Sequence, residues 1–331
     1  MSQAALILVY NHRFDKNIET LELIYKDRFT HIFHLVPFYT GTKHNVIPVY
    51  ESSFNFQGYF AQGLKSFFSE AFAHYLFVAD DLLLNPAITE LNYSTHFKLA
   101  ESSSYLPEIF SLHNLTNNDT LRFEEFYSLK GELKYYWWRI RDAVGYAHEK
   151  EGVEIKKELP SYADAEQRLL AHGYPMKPVE YADVHGRFFP LSLLKKNKLT
   201  RAARHIYSVK SLSKTHTLSY PLVCSYSDIV IVSKDTIKEF CHYCGAFAAN
   251  DLFVEFAVPT ALLLASTDVV TEPKLGARGS IYWTYTEPEA LNYEKAMAPF
   301  GYTLSRLMEN FPPNSLYMHP VKLSKWKTQT Q

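Results

Sequence analysis

Short apolar runs alternate with amphipathic segments over the first eighty residues of this chain. The first run spans residues 4–10, and residues 15–29 carry apolar side chains at the spacing of a helix. Apolar runs of this length are typical of strands buried on both faces of a parallel sheet. Further strands are predicted at residues 31–38, 46–50 and 75–79, and a second helix at residues 56–72. Such alternation predicts a doubly wound α/β sheet, which binds ligands at the carboxyl ends of its strands.

Two adjacent carboxylates, Asp80 and Asp81, close the apolar run at residues 75–79. A buried carboxylate is costly unless a positive charge pairs with it, and hard divalent cations prefer oxygen ligands. The pair is therefore a candidate site for a cation and its phosphate ligand. The alternative is that both aspartates only cap the turn into the next element.

The composition is that of an ordered globular protein, since 47% of the residues are hydrophobic and 15% are aromatic. A formal net charge of −1 argues against nucleic acid as a partner. Because no signal peptide precedes the first predicted strand, we expect a cytoplasmic protein. Cys241 and Cys244 have the spacing of half a zinc site, but without a second half-site a pair of buried thiols is the favoured interpretation.

The middle of the chain, residues 101–221, is less regular. Its aromatic cluster at residues 135–139 either packs against other helices or stacks on a sugar ring. Residues 184–227 contain no Asp or Glu. Their eight fixed positive charges are Arg187, Lys195, Lys196, Lys198, Arg201, Arg204, Lys210 and Lys214. Such a stretch predicts a solvated surface, or a basic face that binds an anionic membrane or a phosphate-bearing acceptor.

The last third returns to alternation, with a strand predicted at residues 228–232 and a helix at about residues 233–244. Pro259 is expected to interrupt the apolar run that follows, because proline removes a helical hydrogen bond. Asp251 and Glu255 are four residues apart. On a helix they would share one face and provide a general base or a pair that binds sugar hydroxyls.

Four segments, taken in order, resemble the motifs of the nucleotide-sugar-dependent glycosyltransferases with the GT-A fold, as in bacterial surface-polysaccharide synthesis. They are Tyr10-Asn11-His12, Ala79-Asp80-Asp81, Phe253-Val254-Glu255 and His319. The resemblance is one of pattern and covers about residues 1–100 and 222–322. Where the family has an aspartate at the start of the first acidic motif, this chain has Ala79, and the later motif reads Val-Glu-Phe instead of ending in Glu-Asp.

The resemblance implies a GT-A-like, Rossmann-like α/β fold, with a mixed, mainly parallel sheet flanked by helices and a largely helical middle insertion. Residues 1–100 would bind the nucleotide sugar, residues 101–221 would form an acceptor-side insertion, and residues 222–331 would complete the domain. The implied reaction is the inverting transfer of a hexosyl or N-acetylhexosaminyl group from a nucleoside-diphosphate sugar. A UDP-sugar is the favoured donor, and a saccharide or lipid-linked glycan at the inner face of the membrane is the acceptor.

In this assignment Asp81 and His319 hold Mn²⁺ or Mg²⁺, and Glu255 is the general base with Asp251 in reserve. The remaining residues would bind the nucleotide sugar. Tyr10 would stack on the base, Glu51 would accept a hydrogen bond from the ribose or base, and Asn11 belongs to the same nucleotide-binding motif as Tyr10. Gln57 would lie near the diphosphate, Asp80 at the sugar or ribose, and Lys322 at the diphosphate. Two other classes stay open, a non-catalytic sugar-binding or scaffold protein on the same fold and a metal-dependent phosphohydrolase. The phosphohydrolase ranks lower because the sequence around the acidic pair supplies no further charged set.

Overall fold

The computed structural model describes residues 3–111, 155–176, 179–180, 215–216, 220–282 and 287–327. The aromatic cluster at residues 135–139 and the eight basic side chains of residues 184–227 lie outside the described residues. The sugar-stacking and membrane-binding hypotheses for those two segments therefore stay predictions.

The described residues form fourteen strands. In chain order they are β1 (Gln3–Val9), β2 (His31–Pro37), β3 (Val46–Val49), β4 (Phe72–Ala79), β5 (Leu83–Leu84), β6 (Ser104–Tyr105), β7 (Phe110–Ser111), β8 (Val179–Glu180), β9 (Thr215–His216), β10 (Val223–Cys224), β11 (Ile229–Ser233), β12 (Val269–Val270), β13 (Arg278–Ile281) and β14 (Ser315–His319).

The same residues form eight α-helices. They are α1 (Asp15–Tyr25), α2 (Gln57–Phe67), α3 (Tyr93–His96), α4 (Tyr162–Ala171), α5 (Ile237–Ala249), α6 (Val254–Ala265), α7 (Glu287–Met297) and α8 (Leu304–Glu309). Within the described part of the chain, none of the helices combines the length and the apolar character that crossing a membrane requires.

Seven of the strands form the central sheet, in the order β12-β6-β11-β4-β1-β2-β3. β1 pairs in parallel with β2 and β4, and β2 pairs in parallel with β3, so the carboxyl ends of these four strands lie along one edge. β11 is antiparallel to both of its neighbours, β4 and β6. The predicted α/β class with a mostly parallel sheet is confirmed. The second helix ends earlier than predicted, because β4 already begins at Phe72.

Both faces of the central sheet are buried, which explains why its inner strands are mostly apolar, with His34 of β2 and His74 of β4 as buried exceptions. Along β1, Ile7 and Val9 face a cluster that α2, α5 and α6 complete. Leu6 and Leu8 face the opposite cluster, which α1, α7 and α8 complete. A strand covered by helices on both faces has no solvent side for polar residues. Polar side chains are therefore concentrated where the strands end.

A second sheet, in the order β13-β14-β5, brings the carboxyl-terminal segment to the acidic pair. β5 begins two residues after Asp81, and its Leu83 pairs with Met318 of the antiparallel strand β14. Because His319 follows Met318, this register places His319 beside Asp81. The Val321 N–H then donates to the Asp81 carbonyl at 2.6 Å.

Pro259 lies inside α6, so the prediction that it interrupts this apolar run is wrong. A proline within a helix leaves the carbonyl four residues earlier without its usual donor. Here that carbonyl belongs to Glu255, and it accepts from the Ser225 N–H at 3.0 Å instead. This bond ties the first turn of α6 to the segment between β10 and β11.

Candidate functional site

Asp80 follows β4 directly at the carboxyl edge of the central sheet. Its N–H donates to the Val9 carbonyl at 2.9 Å, which continues the pairing of β4 with β1. Asp80 is only 4% exposed, and its carboxyl group accepts from Asn17 Nδ2 at 3.0 Å. Burial, reinforced by the charge of Asp81, raises the pKa of the Asp80 carboxyl to about 7. Near neutral pH this group can therefore hold or release a proton.

Asp81 forms an ion pair with His319, whose Nε2 lies 3.2 Å from Asp81 Oδ1. Burial alone would raise the pKa of Asp81, but the charges of His319 and Lys322 outweigh burial and hold this pKa below its ordinary value. Burial alone would lower the pKa of His319, but the charges of Asp81 and Asp228 raise it above its ordinary value. The lowered pKa of Asp81 and the raised pKa of His319 are the shifts expected when a carboxylate pairs with an imidazolium.

Asp228 is a third carboxylate at this edge and was not selected from the sequence. β11 is antiparallel to β4, so the amino end of β11 lies beside the carboxyl end of β4, and the Ala79 N–H donates to the Asp228 carbonyl at 2.8 Å. Asp228 Oδ2 lies 3.9 Å from His319 Nε2. Burial raises the pKa of Asp228, although the charge of His319 opposes this shift. The available signal was an acidic residue directly before the apolar run at residues 229–232.

Glu255 enters the site from another element, the first turn of α6. The pKa of the buried Tyr226 hydroxyl shows which carboxylates lie near Glu255. Burial raises the pKa of Tyr226 well above its ordinary value, and the charges of Asp228, Asp81 and Glu255 add to this effect. Glu255 therefore lies within electrostatic reach of the same acidic group.

A cleft of about 610 Å³ lies over this edge of the sheet. Six residues selected from the sequence line it: Asn11, Asp80, Asp81, Glu255, His319 and Lys322. Several other side chains that line the cleft had no role predicted from the sequence, although His12 and Phe253 belong to two of the quoted motifs. They are the polar His12, Asn17, Ser53 and Asp228 and the aromatic Phe14, Phe54, Phe56, Phe253 and Tyr282. A concave site of this size, with apolar walls and a few converging polar groups, is suited to a small ligand.

Tyr10 and Gln57 do not line the cleft. Tyr10 is fully buried and its hydroxyl lies 2.9 Å from His34 Nδ1, so the prediction that its ring stacks on a nucleotide base is wrong. Gln57 is also fully buried, and its Nε2 donates to the Leu252 carbonyl at 2.7 Å. This bond links the start of α2 to the segment before α6, in place of the predicted diphosphate contact.

Glu51 and Asp251 also lie outside the lining of the cleft. Glu51 Oε1 accepts from the neighbouring Ser52 N–H at 2.6 Å. Asp251 is exposed and has a φ of 56°, and α6 begins only at Val254. The prediction that Asp251 and Glu255 share one helical face is therefore wrong, because Asp251 precedes the helix.

Cys241 and Cys244 are free, buried thiols on α5. Burial raises the pKa of both thiols. Since the thiolate is the reactive form, neither cysteine is a candidate nucleophile.

The residues proposed to hold a cation fit one only when His319 is neutral, because a protonated imidazole has no lone pair for a metal. His319 Nδ1 is a buried atom without a hydrogen-bond partner among the described residues, whereas Asp81 Oδ1, also buried, faces His319 Nε2 at 3.2 Å, so a bound cation would replace this ion pair. No three His, Cys, Asp or Glu side chains in those parts of the chain form a ready-made metal site. A cation here would take two ligands from the chain and the others from substrate oxygens, as Mg²⁺ at nucleotide phosphates commonly does.

Comparisons of the chain with protein-family profiles, with curated proteins and with solved structures found no match.

Proposed function

We propose that this protein is a metal-assisted, inverting glycosyltransferase with a GT-A-like fold. It would transfer a hexosyl or N-acetylhexosaminyl group from a nucleoside-diphosphate sugar, with a UDP-sugar favoured, to a saccharide or lipid-linked glycan. One observation carries this proposal: a single cleft at the carboxyl edge of a mostly parallel sheet collects the acidic pair, His319, Lys322 and Glu255. Nucleotides bind at this edge in open α/β sheets.

The donor side of the cleft is formed by the acidic pair and the segment at and after β14. Lys322 is exposed and shares the cleft with His319, so its ammonium group can approach a diphosphate as a point charge. Asp81 and His319 would hold Mn²⁺ or Mg²⁺, and such an ion, when bound, neutralises and orients the diphosphate leaving group. Asp80, fixed by Asn17, is placed to hydrogen-bond a hydroxyl of the donor sugar or ribose.

Glu255 is the proposed general base. Inverting transfer needs a base that removes the proton of the acceptor hydroxyl on the side of the sugar away from the leaving diphosphate. Glu255 reaches the cleft from α6, whereas His319 and Lys322 belong to the segment at and after β14. The bond from the Ser225 N–H to the Glu255 carbonyl fixes the turn that carries this carboxylate.

A metal-dependent phosphohydrolase is the second candidate, and Asp228 is the observation that favours it. From the sequence, no further charged set was expected near the acidic pair. This expectation is wrong, because His319 lies 3.2 Å from Asp81 and 3.9 Å from Asp228. In metal-dependent phosphohydrolases, clustered carboxylates such as Asp80, Asp81 and Asp228 hold the metal ions that assist hydrolysis of the phosphate ester.

Calorimetric titration of UDP with and without Mn²⁺ tests the proposed cation site. Wild-type protein should bind UDP more tightly with Mn²⁺, and Asp81→Asn should lose at least about 100-fold of this Mn²⁺-dependent affinity, because the principal anionic ligand is gone. Asp27→Asn, at an exposed aspartate outside the cleft lining, is the matched control and should behave as wild type. Equal affinities for wild type and Asp81→Asn in both conditions would contradict the assignment.

Product analysis separates the three classes of function. Wild-type protein is incubated with Mn²⁺ and UDP-glucose, UDP-galactose or UDP-N-acetylglucosamine, without an acceptor. Slow release of free sugar and UDP supports the transferase. Release of a sugar phosphate or inorganic phosphate supports the phosphohydrolase, and binding without any product supports the scaffold.

A further inference from the structure

Phe54 lines the cleft and yet leaves 50% of its surface exposed. Its ring lies against that of Phe253, with the ring centroids 5.9 Å apart. Both phenylalanines share the cleft lining with Glu255, which follows Phe253 by two residues. An exposed apolar surface beside polar groups in a concave site is typical of a binding surface.

The turn that carries Phe54 is a fixed part of the fold. The Phe54 N–H donates to Ser52 Oγ at 3.2 Å, and the next residue, Asn55, donates from Nδ2 to Asp251 Oδ1 at 2.7 Å. The second bond fastens this turn to the segment that leads into α6. Phe253 is the N-cap residue of α6. These contacts therefore fix the position of the aromatic pair relative to α6, which carries the proposed base.

The ligand chemistry that suits this wall is a sugar ring. A pyranose presents C–H groups on its faces and hydroxyl groups around its rim, so an aromatic face can cover the ring while the rim meets polar side chains. Ser53 precedes Phe54 directly and Glu255 follows Phe253 by two residues, and both polar side chains line the same cleft. Phe253 and Glu255 lie at the start of α6, whereas His319 and Lys322, proposed to hold the cation and the diphosphate, lie at and after β14. We therefore assign the aromatic pair to the side of the proposed base, where the acceptor would bind.

We infer that Phe54 and Phe253 form a platform on which the acceptor sugar ring stacks, so that one of its hydroxyl groups points to Glu255. This inference rests on the proposed function and adds the chemistry of the acceptor, which is a ring saccharide and not a peptide side chain or a bare lipid phosphate. Phe54 would determine specificity by contact with the substrate.

Saturation-transfer NMR tests the platform with three probes, methyl β-glucoside, methyl β-galactoside and methyl β-N-acetylglucosaminide, in the presence of UDP and Mn²⁺. Sorbitol, which has the hydroxyl groups but no ring, is the control ligand. Wild-type protein should bind at least one glycoside and not sorbitol. Phe54→Ala should bind that glycoside about tenfold more weakly, and Phe54→Tyr should keep the affinity. Tyr50→Ala is the matched control, since Tyr50 is 62% exposed but does not line the cleft.

Three results would overturn the platform: wild-type protein binds none of the glycosides, Phe54→Ala binds them as wild type does, or Phe54→Ala loses UDP affinity and keeps glycoside affinity. The last result would assign the aromatic pair to the nucleotide base. Titration of UDP against the same variants keeps this inference separate from the proposed function. Failure of wild-type protein to bind UDP counts against the glycosyltransferase, whereas normal UDP binding with glycoside binding unaffected by Phe54→Ala counts against the platform alone.

Discussion

Replacing His34 by glutamine should remove a loss of stability that the wild-type protein suffers in mild acid. His34 lies on β2 and is fully buried. Its Nδ1 lies 2.9 Å from the Tyr10 hydroxyl, and its Nε2 lies 3.6 Å from Glu22 Oε1. Burial lowers the pKa of His34 to about 4, against the opposing charge of Glu22.

The size of the effect follows from the difference between the folded and unfolded pKa. In the unfolded chain the pKa of His34 returns to its ordinary value of 6.5. The folded protein therefore favours the neutral imidazole. The stability this contributes is complete above pH 6.5 and is lost as the pH falls towards 4. Each unit of pKa difference corresponds to about 1.4 kcal/mol, so the expected loss between pH 7.5 and pH 4.5 is about 2.5 kcal/mol.

Urea unfolding followed by circular dichroism at these two pH values measures the free energy of unfolding. His34→Gln cannot titrate in this range, so its free energy of unfolding should fall by about 2.5 kcal/mol less than that of the wild type. The comparison of pH dependence within each variant cancels the packing cost of the substitution itself. His44→Gln, at an exposed histidine, is the control and should lose as much stability as the wild type.

Equal losses for wild type and His34→Gln would refute this reasoning. That result would mean that His34 takes up a proton in the folded protein as readily as in the unfolded chain.

The remaining predictions concern the cleft. Glu255→Gln should lower turnover about 10²- to 10⁴-fold with UDP affinity nearly unchanged, because only an interaction of the transition state is removed. Steady-state kinetics measures the turnover and calorimetry measures the UDP affinity. Turnover equal to that of the wild type would exclude Glu255 as the base. Asp228→Asn should weaken Mn²⁺-dependent UDP binding by about 10- to 100-fold, less than Asp81→Asn, because Asp228 faces His319 at 3.9 Å and supports a ligand without being one. A titration identical to that of the wild type would show that Asp228 gives no such support.

The first four strands were predictable because helices cover both faces of the central sheet. A strand buried on both faces has few polar positions, with His34 on β2 and His74 on β4 as buried exceptions, so a mostly apolar run in the sequence marks the strand itself. The acidic pair was predictable for the same reason, since Asp80 and Asp81 are the first charged residues after such a run. Their place at the ligand-binding edge then follows from the parallel direction of β4.

The environment of single side chains was less predictable. Tyr10 directly follows β1, and alternation along the strand turns it to the buried side of Leu6 and Leu8. The motif alone does not show that helix α1 covers this side. Asp251 was assigned to a helix by spacing, but its φ of 56° belongs to a turn that ends before the helix begins.

The acidic centre depends on strand pairing between segments that are distant in the sequence. Asp228 reaches it because β11 is antiparallel to β4, and His319 reaches it because β14 pairs with β5. Local patterns of apolar residues specify neither the direction nor the register of such pairs. The site could therefore be anticipated from the sequence as a set of candidate residues, but the place of Asp228 beside them follows only from the antiparallel pairing of β11 with β4.

The half-buried carboxylate of Glu272 forms hydrogen bonds that depend on the register of β14. Glu272 Oε1 accepts from the Tyr317 hydroxyl of β14 at 2.7 Å, from the Gly279 N–H of β13 at 3.0 Å and from the Tyr105 hydroxyl of β6 at 3.0 Å. One side chain thus joins the smaller sheet to the central sheet. A slip of β14 by one residue would move Tyr317 to the other face of its strand and break the first of these bonds. The same slip would turn His319 away from the acidic pair, so the packing at Glu272 and the geometry of the candidate site depend on one register.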